Sequence, residues 1–181
     1  MPGFTHRLAI EPDLVTLRRL MARAIEQLQA VYLDPAQIAA SHRVMGLDTQ
    51  LIADRTYFIV EHDGRMAGCG GWSRRATLYG GDHSAPLRDK RLLDPTREPA
   101  RVRAMYTDPD FARRGVGRMI LELCEAAAQR AGFARVELMA TLSGEPLYRA
   151  SDYSPIAPEE ARLDGVVVPL VRMEKRLGAL A

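Results

Sequence analysis

Between Asp108 and Met119 the chain reads DPDFARRGVGRM, with Arg113, Arg114 and Arg118 set around Gly115 and Gly117. Glycines one residue apart let backbone come close to a ligand, and the arginines add positive charge beside them. Directly afterwards Val116, Met119, Ile120, Leu123 and Ala127 recur at helical spacing, so the glycines stand at the mouth of an amphipathic helix. The first N–H groups of a helix have no intrahelical acceptor, and the macrodipole puts partial positive charge there. Ala112 to Arg118 is therefore read as an anion-gripping loop, and a pyrophosphate is the ligand it suggests.

Spacing removes the better-known nucleotide loops. A dinucleotide fingerprint needs a third glycine three residues after the second, and that position is Ile120. A P-loop closes on Gly-Lys-Ser/Thr, whereas Gly117 is followed by Arg118 and Met119. The histidines His6, His42, His62 and His83 have no metal-ligand spacing, and Cys69 and Cys124 lack a partner motif, so no metal is expected.

Elements that could position the loop are legible on both sides of it. Thr5 to Ile10 reads as a strand, and Glu11-Pro12-Asp13 opens a helix carrying Leu14, Leu17, Leu20, Met21 and Ile25. Asp34-Pro35 starts a second helix that ends near Val44. Thr56 to Val60, the Asp63-Gly64 turn and RMAGCGGWS form an antiparallel hairpin. From Arg75 to Pro99 the chain turns polar and proline-bearing, a long excursion of the kind that often carries function. Arg101 to Thr107 alternates and stops at Asp108-Pro109, so a strand feeds the loop. The loop's helix ends at Gly132. A strand at Arg135 to Ala140, a helical turn at Glu145 to Ala150, a brief strand near Tyr153 to Ala157 and a last strand at Val166 to Lys175 follow. Pro169 places that last strand at an edge or a bulge. The whole reads as a mixed α/β fold.

Bulk properties narrow the class. The 181 residues, 47% of them apolar, suffice for one domain with a sizeable core and are too few for two ordinary ones. The 25 basic and 23 acidic side chains are scattered and sum to +2, which gives no footprint for nucleic acid or a membrane surface. No signal core precedes the first strand, and no stretch approaches the roughly 18 to 20 apolar residues of a membrane span. A cytoplasmic protein with two reduced, packing cysteines is the expectation.

The loop also resembles the signature of the GNAT acetyltransferase superfamily, Gln/Arg-x-x-Gly-x-Gly/Ala after a central strand and at a helix start. Gly115 and Gly117 match it, and Ala112 stands where the leading Gln or Arg would be. The likeness runs from about residue 5 to 176. It takes in the middle hairpin, the strand ending in Asp-Pro and the late short helix with Leu147-Tyr148-Arg149. It implies one acyltransferase domain with a mostly antiparallel central sheet flanked by helices, using acetyl-CoA as acyl donor. By the same resemblance the amides of Ala112, Arg113, Arg114, Gly115, Val116, Gly117 and Arg118 hold the CoA pyrophosphate. Backbone at Met105, Tyr106 and Thr107 bonds the pantetheine arm, and Ser143 takes the place of a pantetheine-contacting Asn.

The reaction so implied is attack of a neutral amine on the thioester, with Tyr148 placed near the sulfur to protonate the departing thiolate. The acceptor would be a small-molecule or peptide amine, and the family suggests a homodimer through the late strands. For a general base the candidates are Asp108, Glu98, His83 and Glu137, or a water relay. Glu26, His42 and Trp72 are candidates for the acceptor pocket, with core packing the favoured role for Trp72. A Ser143 N-cap on the following turn is compatible with its pantetheine role. The competing reading is a non-catalytic acyl-CoA-binding or sensing domain.

Overall fold

A computed structural model describes residues 3–178. The first half contains β1 (Phe4–Leu8), α1 (Leu14–Leu28), α2 (Pro35–Val44), α3 (Thr49–Ala53), β2 (Tyr57–His62) and β3 (Arg65–Ser73). The second contains β4 (Ala100–Thr107), α4 (Val116–Arg130), β5 (Arg135–Thr141), α5 (Glu145–Arg149), β6 (Ser154–Leu163) and β7 (Val166–Arg176). The strands form a seven-stranded sheet in the order β1-β2-β3-β4-β5-β7-β6. Every neighbouring pair is antiparallel except β4 with β5.

Local chemistry accounts for most boundaries. Asp34 caps α2 by accepting the Gln37 N–H at 2.8 Å, while the Gln37 side chain reaches back to the Asp34 N–H at 3.0 Å, with Pro35 at the first turn. The expected hairpin is present as β2 and β3, turning through Asp63-Gly64. The short α3 has too few residues to show a periodicity, and Asp48 caps it by accepting the Gln50 N–H at 3.0 Å.

Two late features depart from the sequence reading. β6 extends to Leu163 and pairs with β7 from Val166 to Glu174, rather than stopping near Ala157. β7 lies inside the sheet between β5 and β6, not at its edge. Pro169 is accommodated because the β5 ladder ends at the Thr141–Leu170 pair, so its missing N–H falls where β5 no longer runs.

Adjacent residues of β2 reach opposite faces of the sheet, and helices cover both. Val60 belongs to the cluster in which Ile120, Leu121 and Cys124 of α4 pack, and Ile59 to the one holding Leu17, Leu20 and Met21 of α1. A third cluster seats Ala40 and Val44 of α2 on Val168 and Leu170 of β7. Cys69 and Cys124 are buried free thiols, one in each of the first two clusters. Burial pushes the Cys69 thiol up to about 12.

Two irregularities shape the centre of the sheet. β4 and β5 pair only at Ala100–Val136 and Arg101–Glu137, and beyond those pairs the strands part. β4 also carries a bulge: Cys69 faces Tyr106 and Gly71 faces Arg103, so β4 spends one more residue than β3 over that interval. Ala104, at φ 51°, makes the kink, and the Tyr57 hydroxyl donates to its carbonyl at 2.8 Å. The extra residue shifts the alternation, so Val102 and Met105 both face α4 while Ala104 and Tyr106 face α1.

α4 lies close on the sheet because β3 is glycine-rich opposite it. A Cβ on Gly68 would stand 2.6 Å from Val116 Cγ1 and 2.9 Å from the Tyr106 carbonyl oxygen, and backbone cannot swing aside. We expect Gly68→Ala to destabilise the fold by about 1–3 kcal/mol, the usual range for overpacking a close contact. Urea unfolding checks this, and an unchanged midpoint would mean that α4 does not depend on the missing side chain.

Candidate functional site

β4 delivers the chain to a turn that is tied down before the loop begins. Asp108 is buried, accepts the Asp110 N–H at 2.9 Å, and is paired with Arg23 of α1 at 2.7 Å. Phe111 is buried one residue before Ala112. The loop then bends through Arg113 at φ 63° and Gly115 at φ 84°, the second being the N-cap of α4. The left-handed conformation at Gly115 suits glycine because a Cβ there would be strained.

This bend leaves the backbone donors open. The Ala112 N–H bonds back to the Pro109 carbonyl, and Met119 is the next residue to close a bond, to the Gly115 carbonyl at 3.0 Å. From Arg113 to Arg118 no backbone N–H has an acceptor among the described residues. A run of unaccepted donors at the positive end of a fifteen-residue helix is a strong anion site. A Cβ on Gly117 would meet Leu147 Cδ2 at 2.8 Å, so a side chain there would require the end of Leu147 to move.

The loop opens onto a cavity of about 620 Å³. Arg113 and Arg118 line it. Arg114 does not: its guanidinium lies over the rings of Phe111 at 5.2 Å and Phe4 at 5.5 Å, so its side chain braces the turn. Only the backbone of Arg114 belongs with the open donors.

The cavity follows the parting of β4 and β5 through the sheet, lined by Val102 to Thr107 on one side and Met139 and Thr141 on the other. At the loop end Ser143, Gly144, Leu147 and Tyr148 complete the wall. The Ser143 hydroxyl lies 3.1 Å from that of Thr141. It does not cap α5: the N-cap is Gly144, whose N–H is taken by Thr141 Oγ1 at 3.1 Å. Tyr148 is 7% exposed, packs against Tyr153 at 5.8 Å between ring centroids, and its hydroxyl has no hydrogen-bond partner among the described residues. Burial pushes its phenol above the ordinary tyrosine value, so the oxygen keeps its proton.

None of the acidic or imidazole candidates lines this cavity. Glu137 is 2% exposed and lies between Arg101 and Arg172, joining β4, β5 and β7. Asp108 is held by Arg23, and Glu98 pairs with Arg91 at 2.8 Å in the 74–99 excursion. His83 is exposed, and Glu26 and His42 pair with each other at 3.7 Å outside the cavity. Trp72 is core, edge-on to Phe133 at 6.1 Å. Among the described residues no group of His, Cys, Asp and Glu side chains is placed to hold a metal ion, and no helix is long and apolar enough to cross a membrane.

Several lining residues were not apparent from the sequence. Gln29, Tyr32, Met45, Leu78 and Tyr79 form the end of the cavity away from the loop. Gln29 carries a usable signal, for it continues the buried Met21–Ile25 stripe at i+4 with a polar side chain. The Tyr106 ring reaches this side, its hydroxyl accepting the Gly46 N–H at 3.0 Å. The bulge sends it there, and strand alternation alone does not foretell a bulge.

The profile of the Acetyltransferase (GNAT) family matches residues 18–151. Among solved structures, the fold is similar to that of a GCN5-related N-acetyltransferase from Rhodopseudomonas palustris, at TM-score 0.70 and 17% identity over 98% of each chain. It is also similar to yncA from Salmonella typhimurium, solved with its cofactor acetyl-CoA (TM-score 0.63, 17% identity, 99% of this chain and 96% of that one). A third is the ribosomal-protein-alanine N-acetyltransferase of Brucella melitensis (TM-score 0.64, 16% identity, 96% of this chain and 99% of that one). No curated protein sequence matches the chain.

Burial raises the phenols of Tyr57, Tyr106, Tyr148 and Tyr153 alike. The folded chain therefore holds protons that the unfolded chain, with phenols near pKa about 10, releases. Stability is full below about pH 10 and falls as pH rises above it. Ultraviolet phenolate absorbance should show these tyrosines ionising only as the chain unfolds; ionisation in the folded state near the ordinary value would contradict their burial.

Proposed function

We propose that this chain, which belongs to the GNAT acetyltransferase family, is an N-acetyltransferase that moves an acetyl group from acetyl-CoA to a primary amine. Acetyl-CoA is the donor that membership of the family implies. The observation that carries the reading is the run of unaccepted N–H groups from Arg113 to Arg118, opening onto the gap between β4 and β5. Transfer to nitrogen is supported by neighbours of the same fold that are named as N-acetyltransferases, one of them acting on a ribosomal-protein alanine.

The residues present fit such a donor. The loop amides, with Arg113 and Arg118, take the pyrophosphate by charge-assisted hydrogen bonds. The bulged backbone of Met105 to Thr107 guides the pantetheine arm into the gap, and the Ser143 hydroxyl adds a polar contact at its side. When bound, acetyl-CoA supplies an electrophilic thioester carbonyl, to whose carbon the amine nitrogen bonds as the C–S bond breaks. Tyr148 Oη gives its proton to the thiolate sulfur and regains one from solvent. The proton shed by the amine nitrogen passes to water, since the described residues lining the cavity include no carboxylate and no imidazole. The products are an acetamide and free CoA thiol.

Thiol release in the presence of acetyl-CoA and amines tests the reading, and tight CoA binding without release from any amine would mark a sensor instead. Tyr148→Phe should lower kcat by about 100-fold, the low end for loss of a general acid, while the acetyl-CoA Kd stays within about twofold. Arg113→Glu with Arg118→Glu should weaken acetyl-CoA binding by at least about tenfold. Unchanged turnover would remove Tyr148 from the chemistry, and unchanged affinity would remove the loop from the donor site.

A further inference from the structure

The end of the cavity away from the loop has a chemistry of its own. Leu28 of α1, Tyr32, Met45, Leu78 and Tyr79 give most of its wall, aliphatic and aromatic in character. The apolar character continues outward, because Val31 and Tyr32, between α1 and α2, are 83% and 48% exposed. The one charged side chain at this end is Arg103, which is 5% exposed and already engaged with Asp48 and with the Gly80 carbonyl at 2.7 Å. Arg88 shares Asp48 at 2.9 Å, so the nearby cluster carries more positive than negative charge. Such surroundings repel a second cation and give its lost hydration nothing in return.

One polar atom in the wall is left over. Gln29 is 5% exposed and its Nε2 donates to Met45 Sδ at 3.4 Å, a weak sulfur acceptor. Its Oε1 is buried and has no hydrogen-bond partner among the described residues. A carbonyl oxygen left without a donor in an otherwise apolar wall is complementary to an N–H brought by a ligand.

We infer that the acceptor is a monoamine carried on an uncharged aliphatic or aromatic skeleton, seated among Leu28, Tyr32, Met45, Leu78 and Tyr79, with Gln29 Oε1 accepting one of its N–H groups. Polyamines, aminoglycosides and lysine-rich peptides are disfavoured by the same wall, since each brings further cations and no carboxylate lines the cavity among the described residues. The inference rests on the N-acetyltransferase reading above and narrows its acceptor.

Binding and turnover measured separately tell the two apart. Calorimetric titration of the full chain saturated with CoA should give 2-phenylethylamine a Kd at least about tenfold below that of spermidine. Gln29→Leu should raise the 2-phenylethylamine Kd by about tenfold and leave the CoA Kd unchanged, and Leu28→Glu should narrow the gap between the two amines. Spermidine binding as tightly as 2-phenylethylamine, or neither amine binding, overturns the inference even if the variants fail to fold. An unchanged 2-phenylethylamine Kd in folded Gln29→Leu overturns the role of Gln29. A preference for 2-phenylethylamine without thiol release from acetyl-CoA upholds the monoamine-binding site and overturns the catalytic reading alone.

Discussion

β4 and β5 are hydrogen-bonded through two residue pairs and then separate, and the rest of the molecule is arranged around that parting. Parallel neighbours would ordinarily continue side by side, because every buried N–H and C=O must find a partner. Here the pairs at the base are reinforced by Glu137, which is buried between Arg101 of β4 and Arg172 of β7. A carboxylate removed from water is tolerable only when fully paired, so the cluster acts as a rivet across three strands. Above it, the open edges of β4 and β5 border the cavity instead of each other.

The two ends of the cavity are built by different parts of the chain. α4, its preceding loop and the turn into α5 make the cationic end, while α1, the Met45-Gly46 corner and the 74–99 excursion make the apolar end. They are joined through β4, whose Arg103 ties Asp48 at the start of α3 and the Gly80 carbonyl in the excursion to the sheet. Burial pulls the Arg103 pKa down while Asp48 pulls it up, so this guanidinium depends on its carboxylate.

Much of this is legible in the sequence itself, and the reasons are particular. Gly115, Gly117 and the apolar stripe from Val116 to Ala127 announce a loop and helix because local rules govern both. The Asp34-Pro35 start and the Asp63-Gly64 turn are equally local. What stayed hidden depends on partners distant in sequence. Arg114 looks like Arg113 and Arg118 in the chain, and only the nearness of Phe4 and Phe111 turns it aside. Glu137 looks like a candidate base until Arg101 and Arg172 are seen on either side of it. Pro169 argues for an edge by itself, and the length of β5 decides otherwise. Ser143 has the right residue type for a cap, yet Thr141, two residues earlier, already holds that N–H.

The bulge at Ala104 has a consequence for how this gene can change. Side chains on a strand are assigned to faces by parity, and one supernumerary residue is what puts Met105 toward α4 and Tyr106 toward α1. Substitution anywhere in β4 alters one side chain and leaves the assignment of all the others intact. Loss or gain of a single codon between Arg103 and Tyr106 would instead exchange the faces of everything downstream as far as Thr107. In β4 the number of residues is thus a more stringent inheritance than their identity.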